Sequence, residues 1–233
     1  MQTIGIICAM QVELDAIKNL LASCDEIKIG PRTFFKGQYQ NKEIILTKCG
    51  IGKVNAAITT TLLIDHFKPS FIINCGVAGG YNANLLPLDV VIANQVFYYD
   101  VDCTFCEPDI KYGQVQDEPA VFNCSKVLID LLKNSKIDVN YHIGNIMTSD
   151  KFATDRTLLT NIIDTHFKDQ DVYGVDMESA SIAHTANLYG VDLVIVRSIS
   201  DVVGIEQEHT YTNFLEQACY NASCIISFLL ENI

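Results

Sequence analysis

Basic residues are scarce in this sequence, and they form no cluster. Its 16 Lys and Arg residues stand against 28 Asp and Glu residues, which gives a formal net charge of −12. Because such a charge repels polyanions, we expect neither nucleic acid nor an anionic membrane surface as a partner. Only three arginines occur, Arg32, Arg156 and Arg197. Sites for phosphate commonly use bidentate Arg, so this scarcity disfavours a phosphate-binding function.

Long apolar runs are also missing. No run reaches the roughly 20 residues that a membrane helix needs. The first basic residue is Lys18, so the N-terminal segment lacks the positive charge of a secretory signal. We therefore expect a cytoplasmic protein that is not exported and does not span a membrane.

The nine cysteines form no recognisable disulfide or metal pattern. Their count is odd, and only Cys103 and Cys106 have C-x-x-C spacing, without a second Cys pair or a His pair at ligand spacing. Others, such as Cys8 and Cys75, lie in apolar runs, where a free thiol behaves as a small hydrophobe. The sequence therefore predicts no metal and no cofactor, and it fits a reducing compartment.

Standard nucleotide and nucleophile motifs are absent as well. The segment Gly50-Ile51-Gly52-Lys53 lacks both the third glycine of a dinucleotide fingerprint and the spacing of a P-loop. No G-x-S-x-G motif occurs, and the five histidines include no pair at i and i+4. Gly76, Gly79 and Gly80 follow a buried-type strand, where they form either a turn into a helix or a nest of backbone donors. The remaining candidates for chemistry are carboxylates.

What the sequence does contain is an alternation of strand and helix patterns. At 233 residues with 49% hydrophobic content, it is large enough for one sizeable core. We therefore predict an α/β fold in a single domain over residues 1–233, with a mixed, largely parallel central sheet flanked by helices. Apolar periodicity predicts strands at 3–8, 33–39, 43–48, 71–75, 89–99, 141–148, 172–175 and 191–198, and helices at 10–21, 53–66, 123–133, 155–166, 177–189 and 211–230.

Acidic residues stand at the boundaries between these elements. Glu178 opens an Ala-rich helix, Asp201 closes a β-branched strand, and Glu13 follows the first strand. Strand ends of an α/β sheet face the ligand crevice. Each acid alone could be a helix cap or a first-turn charge. Their joint placement favours acid/base or hydroxyl-binding work.

Five ordered segments resemble the 5′-methylthioadenosine/S-adenosylhomocysteine nucleosidases of the nucleoside phosphorylase/nucleosidase superfamily. They are GIICAMQVE at 5–13, GIGKVNAA at 50–57, IINCGVAGG at 72–80, VDME at 175–178 and VRSISD at 196–201. The resemblance implies a mixed sheet closed into a distorted barrel and a homodimer. It also implies hydrolysis of the bond between adenine N9 and ribose C1′ in 5′-methylthioadenosine, S-adenosylhomocysteine or 5′-deoxyadenosine, releasing adenine and the sugar.

The resemblance assigns a task to each acid. Asp201 matches the residue that protonates adenine N7 as the bond breaks. Glu178 matches the residue that binds the 2′ and 3′ hydroxyls and stabilises the cationic sugar. Glu13 matches the general base that activates water, and Arg197 keeps one of these carboxylates charged and in position.

Binding residues carry over from the same resemblance. Phe152 matches the aromatic residue that stacks on adenine, the backbone of Ala153 pairs with the base edge, and Met177 packs under the ribose. Met10, Ile51 and Tyr211 line the pocket for the 5′ substituent. Cys103 and Phe105 fall where the neighbouring subunit completes that pocket. The predicted site also includes Ala78, Gly79 and Ser200.

Three positions depart from the family pattern. Val77 stands where Ser is usual, Asp176 where Glu is more common, and Ser149 where Gly precedes the adenine loop. Residues 105–111 also form a segment about two residues longer than usual. We expect the Val77 departure to alter the rate or the preference among 5′-substituted adenosines.

Two other functions remain open. A phosphate-dependent purine nucleoside phosphorylase would need arginines after the first strand and before the Gly-rich strand end, and residues 5–21 and 68–80 contain none. A non-catalytic adenosine-binding protein would need neither a water base nor a leaving-group acid. Retention of Glu13, Glu178, Arg197 and Asp201 together disfavours this second alternative.

Overall fold

One mixed sheet of ten strands, covered by six helices, forms the part of the chain that the computed structural model describes, residues 2–133, 135–205 and 207–233. The strands are β1 (Gln2–Cys8), β2 (Cys24–Ile29), β3 (Arg32–Tyr39), β4 (Lys42–Lys48), β5 (Phe71–Gly80), β6 (Val90–Tyr98), β7 (Phe122–Asn123), β8 (Tyr141–Thr148), β9 (Val172–Asp176) and β10 (Asp192–Val202). The helices are α1 (Gln11–Lys18), α2 (Lys53–Phe67), α3 (Lys126–Lys133), α4 (Arg156–His166), α5 (Ser179–Tyr189) and α6 (Gln207–Asn232).

Part of the sheet closes on itself. The strand order is β10-β6-β8-β9-β5-β1-β4-β3-β2, and β10 also pairs with β5. This extra pairing makes a ring of β5, β9, β8, β6 and β10, from which β1, β4, β3 and β2 extend. Pairing within the ring is parallel except between β5 and β9 and between β6 and β10. The predicted α/β class and distorted barrel are thereby confirmed.

The central strands are buried on both faces, which explains their nearly continuous apolar sequences. Ile72 and Ile73 of β5 and Val194 and Ile195 of β10 are fully inaccessible to solvent. Helices on the two sides of the sheet supply the covering layers, with α6 packed on β10 and β5, and α5 on α2.

The sequence patterns did not predict two of the strands, the short β7, which pairs with β6, and β2. β2 lies at the edge of the described sheet, where it pairs with β3, and its sequence CDEIKI carries charged side chains on its exposed positions. Charges of this kind protect an edge strand from further pairing, but they hide the apolar pattern.

The glycine-rich segment 76–80 does not form a turn, because β5 continues through it to Gly80.

Parallel pairing brings several strand ends to one place. In β1, β5 and β10 the residues Ile7, Asn74 and Ile195 are register neighbours, so the carboxyl ends of all three strands point the same way. Helix α1 starts directly after β1, and α5 directly after β9. Ligand clefts in α/β sheets form at such ends.

Of the helices in the described ranges, none has the length and apolar character that crossing a membrane requires. The cytoplasmic location expected from the sequence stays a prediction.

Candidate active site

A cleft opens at these strand ends, with about 580 Å³ of empty space when the part open to solvent is included. The structure brings together there every residue predicted for the site except Cys103 and Phe105. The cleft is lined by Ala9, Met10, Glu13, Ile51, Val77, Ala78, Gly79, Lys151, Phe152, Ala153, Val175, Asp176, Met177, Glu178, Arg197, Ser200, Asp201, Gln207 and Tyr211.

Glu13, in the first turn of α1, is not the solvated helix acid that its position alone would allow. It is 1% exposed. Its Oε2 accepts hydrogen bonds from the backbone N–H groups of Ala9 at 2.7 Å and Met10 at 2.8 Å, and its Oε1 accepts one from Val77 N–H at 3.0 Å. Burial raises the pKa of Glu13, although Arg197 and the backbone donors act in the opposite direction. A buried carboxylate with a raised pKa is a suitable general base.

Gly76 in β5 makes room for this carboxylate. A Cβ atom at position 76 would lie 2.7 Å from Glu13 Oε1 and would also collide with the guanidinium of Arg197. Any larger residue would therefore force apart the cation and the acid. This close approach explains why the strand carries a glycine there.

Glu178 occupies the N-cap position of α5, yet its side chain makes no capping hydrogen bond. Its Oε1 instead accepts from the N–H of Gly52, 2.9 Å away, and its Oε2 lies 3.4 Å from Arg197 Nη2. Burial raises the pKa of Glu178 to about 7, with the neighbouring charge of Asp176 adding to the effect. The side chain is thus directed to the cleft rather than to its own helix.

Arg197 is fully buried and holds the acidic cluster together. Its Nη2 lies 2.7 Å from Asp176 Oδ2 and donates to Asn74 Oδ1 at 2.8 Å. Its Nε donates to Ser179 Oγ at 3.2 Å. Burial by itself would lower the pKa of Arg197, but the surrounding carboxylates of Asp176, Glu178 and Glu13 outweigh that effect and raise it. The sequence suggested Arg197 as a carboxylate partner, and Asp176 is its closest one.

Asp201 reaches the cleft because β10 is irregular at its end. The register between β10 and β5 shifts between Ile199 and Asp201, which places a bulge at Ser200. Such a bulge re-aims neighbouring side chains, and both Ser200 and Asp201 line the cleft. Ser200 Oγ donates to Asp201 Oδ1 at 2.7 Å, and the two residues are 1% and 2% exposed.

Gln207 is a site residue that the sequence patterns missed. Its Nε2 donates to Asp201 Oδ2 at 2.7 Å and to the backbone carbonyl of Ala153 at 2.9 Å. The helix α6 begins at Gln207, four residues before the start predicted from apolar periodicity. The only available signal was a polar residue in the short connection after Asp201, which is too weak to identify a functional residue.

Asp176 was noted in the sequence only as a departure from the family pattern, yet it is central to the cluster. Besides Arg197, it accepts hydrogen bonds from Thr148 Oγ1 at 2.6 Å and from the backbone N–H and hydroxyl of Ser179. These partners satisfy the carboxylate within the buried layer. Asp176 therefore orients the cation rather than facing a ligand by itself.

Two loops of the cleft wall are tied to each other by charge. Lys53 Nζ lies 2.8 Å from Asp100 Oδ1, and the backbone N–H of Lys53 donates to Asp150 Oδ1 at 2.8 Å. Asp150 N–H in turn donates to Asp100 Oδ2 at 2.9 Å. The network fixes the loop that carries Phe152 and Ala153 relative to the loop that bonds Glu178.

Apolar side chains form the outer part of the cleft. The ring centroids of Phe152 and Tyr211 lie 6.1 Å apart in an edge-to-face arrangement, and Tyr211 OH contacts Met10 Sδ at 3.3 Å. Phe152 and Ile51 are both more than half exposed. An aromatic ligand and an apolar substituent would cover these surfaces.

Cys103 and Phe105 do not line the cleft of their own chain. Both lie in the connection between β6 and β7, and the Phe105 side chain is fully exposed. Their predicted role in a neighbouring subunit's pocket stays a prediction. Among the described residues, no group of three or more His, Cys, Asp or Glu side chains is placed to hold a metal ion.

Comparison with known proteins adds to this geometry. The sequence model described as "Phosphorylase superfamily" matches residues 3–231. The 5′-methylthioadenosine/S-adenosylhomocysteine nucleosidase of Bacillus pumilus is 37% identical over 98% of each chain. The structure of the Neisseria meningitidis nucleosidase of the same name, in complex with methylthio-immucillin-A, matches with a TM-score of 0.94, 29% identity and full coverage of both chains. Futalosine hydrolase of Helicobacter pylori matches with a TM-score of 0.92 and 30% identity, over 100% of this chain and 98% of that one.

Proposed function

The chain belongs to the phosphorylase superfamily, and from that premise we propose that it is a 5′-methylthioadenosine/S-adenosylhomocysteine nucleosidase. It hydrolyses the N-glycosidic bond of these nucleosides and releases adenine and a 5-alkylthioribose. The observation that carries the proposal is the convergence of three buried acids, Glu13, Glu178 and Asp201, on one cleft. Curated relatives with this name match at 35–39% identity over nearly the whole chain.

Hydrolysis is favoured over phosphorolysis because the guanidinium groups of the three arginines are already bonded to other groups of the protein. Every nitrogen of the Arg197 guanidinium is engaged by Asp176, Glu178, Asn74, Ser179 or the carbonyl of Val77. Arg156 donates to backbone carbonyls of Tyr81 and Val203, and Arg32 to Asn55. A phosphate ion in the cleft would also meet the buried carboxylates. Water is therefore the nucleophile that the site can accept.

Asp201 is the acid for the leaving group. Adenine leaves as a neutral base when N7 gains a proton while the C1′–N9 bond breaks. Asp201 is buried, the amide of Gln207 connects its Oδ2 to the carbonyl of Ala153, and the hydroxyl of Ser200 donates to its Oδ1. Phe152 then stacks on the base, whose edge pairs with the backbone at Ala153.

Glu178 binds the ribose. Its Oε1 is fixed by Gly52 and its Oε2 faces Arg197, so it can accept hydrogen bonds from the 2′ and 3′ hydroxyls. As the sugar becomes cationic, a carboxylate at this position lowers the energy of the transition state. Met177 packs against the same sugar.

Glu13 activates the attacking water. A water proton passes to Glu13 while the water oxygen bonds to C1′, and the electron pair of the broken C1′–N9 bond stays on the base. Three backbone N–H groups fix the carboxylate, so its direction is set before the substrate arrives. Preorganised groups of this kind lower the activation barrier.

The proposed enzyme is a homodimer in which the partner subunit completes the 5′ pocket. Helix α2 presents an apolar surface beside the cleft, where Val54 is 69% and Ile58 44% exposed, and Phe105 is exposed as well. An apolar patch of this kind supports an interface between subunits. Through it, Cys103 and Phe105 would reach the neighbouring cleft.

Adenine release from 5′-methylthioadenosine tests the proposal, measured with and without phosphate. We expect release without phosphate that falls by about 10²–10⁴ in Glu13→Gln and in Asp201→Asn. Circular dichroism of both variants, and adenine binding by Glu13→Gln, serve as controls for folding. Release that needs phosphate would identify a phosphorylase. Adenine binding without release from any 5′-substituted adenosine would identify a binding protein.

A further inference from the structure

The side chain of Gln207 lies inside the cleft and is fixed there at both ends of its amide. Nε2 donates one hydrogen to Asp201 Oδ2 at 2.7 Å and the other to the carbonyl oxygen of Ala153 at 2.9 Å. Oε1 accepts a hydrogen bond from the N–H of Gly204 at 2.9 Å. The amide therefore has a defined position rather than a solvent-averaged one.

The two acceptors define a subsite for a planar NH₂ group. A carboxylate oxygen and a backbone carbonyl oxygen lie within 3 Å of a single nitrogen, which supplies one hydrogen to each. A primary amide and an amino group on an aromatic heterocycle share this geometry, because both nitrogens are planar and carry two hydrogens. Under the proposed function, the base of the substrate brings such an amino group to Asp201.

We propose that Gln207 is an internal occupant of this amino-group subsite, and that an aminopurine base must displace it to bind. The identity of the base rests on the proposed function. The two groups exclude each other, because each needs Asp201 Oδ2 and the Ala153 carbonyl for its two hydrogens. Gln207 thus keeps two buried acceptors paired in the empty cleft, where unpaired ones would be costly.

The surrounding backbone allows the displacement. Gln207 is the first residue of α6, and the first turn of a helix lacks the hydrogen bonds that hold the following turns. Gly204, with φ of 76°, stands in the connection before it. One turn further along α6, Tyr211 also lines the cleft. Movement at Gln207 would therefore alter the base end and the 5′ end of the cleft together.

The two acceptors of the subsite also select the base, whereas the cost of displacing Gln207 is the same for every purine. A 6-aminopurine restores both hydrogen bonds that Gln207 gives up. A 6-oxopurine presents an acceptor to the carboxylate and carbonyl, so it cannot replace the amide and leaves both acceptors without a donor. Sites that hydrogen-bond one such group strongly reject the analogue that lacks it.

Direct binding of adenine and hypoxanthine, measured by isothermal titration calorimetry, tests the inference. Gln207→Met keeps the length of the side chain without its donors, and Gln207→Ala removes it. Gln217→Ala is the matched control, because Gln217 lies on the same helix, is exposed and bonds only Asn221 among the described residues. We expect adenine to bind about three- to tenfold more tightly to both Gln207 variants, because the two hydrogen bonds of the Gln207 Nε2 no longer have to be broken first. Hypoxanthine should stay weak throughout.

Weaker adenine binding by the Gln207 variants would show that Gln207 is a ligand of the base. Unchanged binding would show that Gln207 does not occupy the subsite. Either result overturns the inference. Absence of adenine binding by both variants would do the same. Because no turnover is needed, the result is separate from the proposed reaction. Tighter adenine binding together with no cleavage of 5′-methylthioadenosine would refute the nucleosidase and leave the occupant in place.

Discussion

Arg197 is bound to Asp176 with 2.7 Å between Nη2 and Oδ2, and each side chain is 1% exposed. One cation therefore serves three buried carboxylates, since Glu178 and Glu13 lie close to the same guanidinium. Because its closest ion pair is with Asp176, the other two acids gain less from the positive charge. Burial raises the pKa of both Glu13 and Glu178, and the shared cation offsets that effect only in part.

Substitution of Asp176 by Asn should shift the pH dependence of the reaction. The negative charge of Asp176 raises the pKa of Glu178, so its removal lowers that pKa from about 7. If ionised Glu178 binds the ribose, the acidic limb of the kcat/KM profile moves to lower pH by about 0.5–1 pH unit. Asn still accepts from Arg197, so we expect a stability loss of about 1–3 kcal/mol.

The measurement for Asp176→Asn is kcat/KM from pH 5 to 9, beside urea unfolding. Asp130→Asn is the control, because Asp130 is an exposed acid paired with Lys133 on α3. An acidic limb that stays in place in Asp176→Asn would show that Asp176 does not influence Glu178.

Glu178 should also make the folded state less stable as the pH rises. Its pKa is raised from 4.5 to about 7 on folding, so the native state binds the proton more tightly than the unfolded chain. Its contribution is fully present below about pH 4.5 and is lost as the pH rises through about 7. Glu178→Gln removes this titration. We expect the variant to gain about 1–3 kcal/mol relative to wild type at pH 8.5, and less at pH 5.5.

Urea unfolding at the two pH values measures the difference. Glu26→Gln is a suitable control, because Glu26 is an exposed acid on the edge strand β2, away from the cleft. The argument fails if the stability difference between Glu178→Gln and wild type does not depend on pH.

Local sequence was sufficient to predict which acids lie at the cleft, because their position along an element decides this placement. Glu13, Glu178 and Asp201 stand at element boundaries, and parallel strands bring such boundaries to one edge. It was insufficient for relationships across the fold. Gln207 reaches a carbonyl 54 positions away, and no periodic pattern records that distance. The choice of Asp176 as the closest partner of Arg197 depends on how β9 and β10 sit beside β5. The edge strand β2 stayed hidden because its charges mask its alternation.

Val77 offers a test of the departure noted in the sequence. Its side chain lines the cleft and packs on Ala218 and Cys219 of α6, while its N–H bonds Glu13. Val77→Ser places a hydroxyl in the cleft, where Glu13 activates water in the proposed mechanism, so we expect kcat to rise about two- to tenfold, the size of one hydrogen bond. Loss of apolar contact should lower stability by about 1 kcal/mol.

Steady-state rates on 5′-methylthioadenosine and S-adenosylhomocysteine measure the effect of Val77→Ser. Val12→Ser makes the same chemical change in the same apolar cluster at a residue that does not line the cleft. Equal activity of Val77→Ser and wild type on every substrate would count against this role for Val77.

Phe105 allows the shared site of the proposed homodimer to be tested by mixing subunits. A Phe105→Ala chain keeps its own Glu13 but cannot complete its partner's pocket, so its homodimer should show a KM for 5′-methylthioadenosine raised about tenfold. A Glu13→Gln chain is inactive but retains Phe105. In a mixed dimer, the Glu13→Gln chain supplies Phe105 to the intact acids of the Phe105→Ala chain.

Co-expression of the two chains with different affinity tags, followed by purification of the mixed dimer, gives the required sample. We expect its active sites to recover the wild-type KM, with about half the wild-type kcat per dimer because only one of the two sites retains Glu13. Val127→Ala replaces Phe105→Ala in the control, since Val127 is an exposed apolar residue on α3 away from the cleft. The homodimer of the Val127→Ala chain should already have the wild-type KM for 5′-methylthioadenosine. A mixed dimer that keeps the raised KM of the Phe105→Ala homodimer would show that Phe105 acts within its own chain and that each cleft is complete without its neighbour.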